Sequence, residues 1–132
     1  MKSPDKETNS KEMSMTTPAI GSILIGSTDP DRLRSWYRAA FAPDQPEQGA
    51  LDVGGVLLVF DKRSEVADKN PEPVRTMVNF HVEDAHETVA HLNAIGVTWI
   101  AELEQRPTGF FATLLDPDGS YVQIIEFVEG VH

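Results

Sequence analysis

Ser22-Ile23-Leu24-Ile25-Gly26-Ser27-Thr28-Asp29 and, 55 residues later, Met77-Val78-Asn79-Phe80-His81-Val82-Glu83-Asp84 share one layout. Each is an alternating, largely apolar stretch that ends in aspartate and runs into a helical pattern. A strand–helix unit written twice marks two copies of one supersecondary module, neither of which can bury its apolar face alone. The repeat also fixes which residues of the two copies correspond.

Working outward from the first stretch, a strand is expected over 19–26, with Asp29 as N-cap and Pro30 at the first helical position, where its missing N–H costs nothing. Leu33, Trp36, Tyr37, Ala40 and Phe41 then recur on one helical face. Ala42-Pro43 ends the helix. An irregular edge strand is expected between Pro43 and Gly49, because two prolines forbid a central one. Strands over 51–53 and 56–60 flank Gly54-Gly55, a two-residue hairpin signal. In the second copy a strand over 76–82 leads to Asp84 and Glu87, spaced as a capping pair. Ala85, Thr88, Val89, Leu92 and Ile95 line one helical face, and Gly96 supplies the stop. Strands follow over 97–103, 110–115 and 121–128, the last two joined by the tight turn Asp116-Pro117-Asp118-Gly119. Each copy therefore reads β-α-β-β-β. Residues 1–18, polar and aperiodic, are expected to be a disordered tail. The domain spans 19–129: module one 19–61, connector 62–74, module two 75–129.

Length and charge bound what such a domain does. One core fits in 132 residues and two do not. Eleven basic residues, scattered and outnumbered by 21 acidic ones, give a net charge of −10. That disfavours nucleic acid and anionic membranes, which need clustered Lys and Arg. No apolar run is long enough to span a bilayer, and no apolar stretch follows the first lysines as in a secretory signal. With no cysteine there is no disulfide, thiolate metal site or cysteine nucleophile. A cytoplasmic location is the expectation.

Strand alternation sorts the side chains. Ile23 and Ile25, Val78, Phe80 and Val82, and Val122 and Ile124 form the branched and aromatic set that the helices need. Burying each stabilises the fold by roughly 1.5–3 kcal/mol. The opposite set, Ser22 and Leu24, Met77, Asn79 and His81, and Tyr121, Gln123 and Ile125, mixes polar with apolar groups. Such a face lines a ligand cavity, or else is solvated or buried between subunits.

The paired β-α-β-β-β layout, the strand–Asp–helix starts and the Asp116-Pro117-Asp118-Gly119 turn with its following strand resemble the vicinal oxygen chelate superfamily. Its members include glyoxalase I, extradiol dioxygenases and bleomycin-resistance proteins. The resemblance covers about residues 19–129 and implies an α+β fold: two βαβββ modules forming a cupped, eight-stranded mixed sheet with helices outside, usually a homodimer. Metal-dependent members place His or Glu ligands seven residues before each helix-starting aspartate and four residues after the turn glycine. Those positions hold Ser22, Met77 and Gln123 here, with Leu58 or Val59 as the counterpart in module one. None suits a hard or borderline divalent ion, which takes carboxylate or imidazole. The expectation is therefore no metal and no cofactor. The metal-free, bleomycin-binding members are the nearer model.

Among other residues, His86 and His91 look like a zincin pair. They are five apart, about 140° around a helix, and the zincin motif needs four. His81 carries an imidazole, a side chain suited to acid–base work, but stands near a strand end where a half-exposed histidine is common. Asn79 and Gln123 offer neutral amides for binding. Tyr121, Trp99, Phe110 and Phe111 are candidate pocket walls, and Trp99 fits the core equally well. Arg75 and Arg106, at strand or loop edges, could meet an anionic ligand, but a solvated loop arginine is the better reading of each. The candidate ligand-binding set is thus Ser22, Leu58, Met77, Asn79, His81, Trp99, Phe111, Tyr121 and Gln123. The expected function is metal-independent binding of a small organic molecule, possible targets being a toxic or antibiotic compound. The alternatives are a lyase, isomerase or dioxygenase with a displaced metal site or a metal-free mechanism, and an interaction module whose cup is filled.

Overall fold

Both aspartates that close the repeated stretches start helices. In the computed structural model, which describes residues 16–128, Asp29 accepts from the Arg32 N–H and opens α1 (Pro30–Phe41). Asp84 accepts from the Glu87 N–H at 3.0 Å and opens α2 (Ala85–Ile95). A second carboxylate caps the same helix end, since the first N–H of α2, that of Ala85, donates to Glu126 Oε1 at 2.8 Å. That brings negative charge to the positive end of the helix dipole. Gly96 ends α2 at φ 83°, a left-handed conformation that costs glycine little.

Among the described residues seven strands accompany the helices: β1 (Ser22–Ser27), β2 (Leu51–Val53), β3 (Val56–Lys62), β4 (Val78–His81), β5 (Thr98–Arg106), β6 (Gly109–Leu115) and β7 (Tyr121–Phe127). They form two mixed sheets, ordered β1-β3-β2 and β4-β7-β6-β5, with β1–β3 and β4–β7 parallel and the other pairs antiparallel. The order of the smaller sheet repeats that of the larger without its outermost strand, so the two modules do correspond. The chain has an α+β fold.

The eight-stranded single sheet is corrected here to three plus four strands among the described residues. The missing strand is the edge strand expected between Pro43 and Gly49, where the chain makes turns. Two helix arginines hold it there. Arg34 donates to the carbonyls of Pro46, Glu47 and Gly49, and Arg38 to that of Gln45, at 2.6–2.9 Å. Carbonyls engaged in this way are not free to form a ladder, and prolines 43 and 46 bring no N–H to one. The expected tail over 1–18 lies outside the described residues except for 16–18, which are exposed and irregular. Residue 129, the expected end of the domain, lies outside them too.

One core joins both modules. Leu33, Tyr37 and Ala40 of α1 and Leu92 of α2 meet Leu51 and Leu58 of the small sheet and Phe80, Ala112, Leu114, Val122 and Ile124 of the large one. Phe41 stacks on Phe80 with centroids 3.8 Å apart, so module one packs directly on module two. The two helices therefore cover one face of each sheet. The other face of each carries no helix among the described residues.

Candidate functional site

The helix-free face of the large sheet is built in rows. Register places Asn79 of β4 beside Gln123 of β7, and Gln123 beside Thr113 of β6. The next row is His81, Ile125 and Phe111. Alternation turns all six away from the helices, because their neighbours Phe80, Val122, Ile124, Ala112 and Leu114 enter the core. The first row offers two amides and a hydroxyl, donors and acceptors without charge.

The second row is aromatic. The His81 ring meets Phe127 edge-on at 5.1 Å, and Phe127 meets Phe111 at 6.1 Å and 90°. The Arg106 guanidinium lies 4.6 Å from the centre of the Phe111 ring, held by Glu104 Oε1 at 2.9 Å. Edge-to-face rings with a cation on one face suit a flat or partly apolar ligand. Half-buried Tyr121 continues the same face of β7.

The remaining candidates are distributed differently. Ser22 is exposed at the start of β1 and faces away from the core. Met77, half-buried, directly precedes β4. Leu58 is 2 % exposed and belongs to the core; its neighbour Val59, paired with Leu24, is the residue on the helix-free side. Trp99 lies on the helix side, packed on the core with Nε1 donating to Asn93 Oδ1 at 2.8 Å. A cavity of about 290 Å³ lies where the β2–β3 hairpin meets β4 and brings Leu58, Asn79 and His81 together. Phe127 and Thr113 were not legible as site residues, and neither was the contact of Arg106 with Phe111. The signal for the first two was the same alternation, extended two residues past Ile125 and across to β6.

The positions where the superfamily resemblance implies metal ligands carry neither carboxylate nor imidazole. Ser22, Met77, Val59 and Gln123 supply a hydroxyl, a thioether, an aliphatic group and a neutral amide. Among the described residues no group of three or more His, Cys, Asp and Glu side chains converges. His86 and His91 act separately: His86 meets the Phe110 ring at 5.1 Å, and His91 Nε2 donates to the Ala39 carbonyl at 2.8 Å.

The turn after β6 anchors the face from behind. Tyr37 Oη donates to Asp116 Oδ2 at 2.6 Å, and Asp116 Oδ1 accepts from the N–H groups of Asp118 and Ser120. Ser27 Oγ donates to Asp118 Oδ2 at 2.6 Å. From the connector, Lys69 Nζ donates to the Pro117 carbonyl and Asn70 N–H to that of Asp118. The turn thus ties module two to module one. Burial, reinforced by the Asp116 charge, holds the Tyr37 phenol far above its ordinary pKa, so it acts only as a neutral donor.

Burial also raises the pKa of Asp116, although its hydrogen bonds oppose the shift. The native state then holds that proton more tightly than the unfolded chain does. The linked stabilisation is fully present below the ordinary value of 3.8 and is lost as pH rises through the folded value. Stability of the native protein relative to an Asp116→Asn variant should therefore increase between about pH 7 and about pH 4. Chemical denaturation of both proteins across that range measures it.

With fold and site in view, the class is clear: two βαβ-type modules pack side by side, each sheet keeping one face free of helices. A glyoxalase-like domain family matches residues 22–125, and the chain belongs to that family, within the vicinal oxygen chelate superfamily. Among curated proteins no sequence matches. Several solved structures share the fold. TnmS3, an antibiotic binding protein from Streptomyces sp. CB03234, is 19% identical with a TM-score of 0.66, over 87% of this chain and 100% of its own. A glyoxalase/dioxygenase from Nostoc punctiforme is 16% identical with a TM-score of 0.68, over 90% and 100%. Lactoylglutathione lyase from Agrobacterium tumefaciens is 18% identical with a TM-score of 0.62, over 84% and 95%. No helix among the described residues is long and apolar enough to cross a membrane.

Proposed function

We propose that the helix-free face of the large sheet binds a small, partly apolar organic molecule without a metal ion, in the manner of an antibiotic- or toxin-sequestering protein. One observation carries this reading: the amide row Asn79–Gln123–Thr113 lies beside the aromatic row His81–Phe111–Phe127. Neutral polar groups fix orientation while rings supply contact area. The antibiotic-binding neighbour TnmS3 supports the same assignment. A cytoplasmic location is compatible with it.

The small sheet bears on the expected homodimer. On its helix-free face Leu24 is 53 % exposed and Leu57 40 %, with Val59 next to Leu24 across the β1–β3 pair. A second copy covering these residues would remove their apolar surface from water. Sedimentation velocity checks this, with a dimer expected for the native chain and a weakened one for Leu24→Lys.

Ligand binding is tested by thermal shift against a library of aromatic natural products, since a ligand that prefers the native state raises its melting temperature. Phe111→Ala should weaken any such ligand roughly tenfold, about 1.4 kcal/mol, with little loss of stability at this half-buried position. Turnover by chelator-treated protein that is abolished by His81→Ala would instead favour the enzyme reading.

A further inference from the structure

The edge of β3 beyond β2 is unpaired among the described residues. The N–H groups of Leu57 and Arg63 donate to the carbonyls of Gly21 and Ser27, so odd-numbered residues of β3 face β1 and even-numbered ones face outward. Leu58 is answered by Leu51, the first residue of β2. Continuing the ladder would place Phe60 opposite Gly49. Gly49 has turned away, with φ +89° and its carbonyl taken by Arg34 Nε at 2.6 Å. The Phe60 N–H and C=O therefore have no partner strand among the described residues. They border a cavity of about 550 Å³ between α1, the turn at 47–50 and β3.

Charge selects the occupant. Asp31 and Glu47 line that cavity, and three nitrogens of the one guanidinium there, Arg34, already donate to backbone carbonyls. The whole chain carries −10. An open strand edge is a template for another strand, and strand addition draws its affinity from main-chain hydrogen bonds. We propose that this edge takes an extended, lysine- or arginine-bearing segment of a partner protein, with Phe60 supplying the backbone pair and Asp31 and Glu47 the charge.

The probe is the peptide acetyl-Lys-Val-Lys-Val-Lys-amide, titrated into isotope-labelled full chain while hydrogen exchange at the Phe60 amide is followed by NMR. Exchange should slow at least tenfold on saturation. The same peptide with alternate amides N-methylated keeps its charge but cannot pair, and should have no effect. Asp31→Lys with Glu47→Lys, both exposed positions, should weaken the native peptide at least tenfold. If that variant does not fold, the N-methyl comparison on the native chain decides alone. Unchanged Phe60 exchange at millimolar peptide, or equal binding of the methylated form, overturns the proposal. So does protection that appears only after residues 1–15 are removed, because the slot then belongs to the chain's own N-terminal segment. Phe60 protection that rises with protein concentration, without peptide, would assign the edge to a second copy instead.

Discussion

Asp116→Ala should lower the stability of the protein by about 3–5 kcal/mol, a large part of the roughly 5–15 kcal/mol available to a domain. The side chain is 4 % exposed and receives three donors: the Tyr37 hydroxyl and the N–H groups of Asp118 and Ser120. Truncation leaves all three without their acceptor, and a buried donor left unpaired costs about 1–3 kcal/mol. Tyr37→Phe should be milder, about 1–2 kcal/mol, because the carboxylate keeps its two backbone donors. Urea denaturation measures both. The same slope with a lower midpoint is expected, since neither change alters how much surface unfolding exposes. A midpoint within error of the native one for Asp116→Ala would show that the turn does not hold the modules together.

Gly109→Ala should be comparably severe, about 3–5 kcal/mol. Gly109 starts β6 at φ +151°, which residues with a Cβ rarely adopt, and a methyl there would overlap the Glu126 carbonyl oxygen and crowd Phe127 Cα at 2.9 Å. Those atoms are backbone, so no rotamer change relieves the contact. The β6–β7 pair must separate or shift, and Phe111 and Phe127 of the aromatic row move with it. The variant should melt at lower temperature and lose ligand affinity together, unlike Phe111→Ala, which loses affinity alone.

Much of the fold could be read from local chemistry. Asp29-Pro30, Asp84 and Gly96 mark helix ends through interactions within a few residues. Gly54 and Gly55 both take positive φ in the β2–β3 turn, as their pairing in the sequence indicates. Alternation placed Asn79, His81, Tyr121 and Gln123 on one face because those strands pair without irregularity. What failed depended on contacts distant in sequence. The segment from Pro43 to Gly49 is set by Arg34 and Arg38, and no pattern within the segment reports on them. In Val56-Leu57-Leu58-Val59-Phe60 every residue is apolar, so composition cannot tell the inward Leu58 from the outward Val59. β5 shifts register on either side of Ala101, and alternation along that strand could not decide which side Trp99 occupies. The Asp116 turn was recognisable as a turn, but not as the buried partner of Tyr37, 79 residues away.

The decisive measurement is side-chain amide NMR of Asn79 and Gln123 during titration with a library-identified ligand, in buffer containing excess chelator and again with a divalent ion restored. Metal-free binding on the helix-free face requires both amide pairs to shift on saturation, with one Kd in the two buffers. Affinity that disappears with chelator and returns with the ion, or saturation that leaves both amides unmoved, would contradict it.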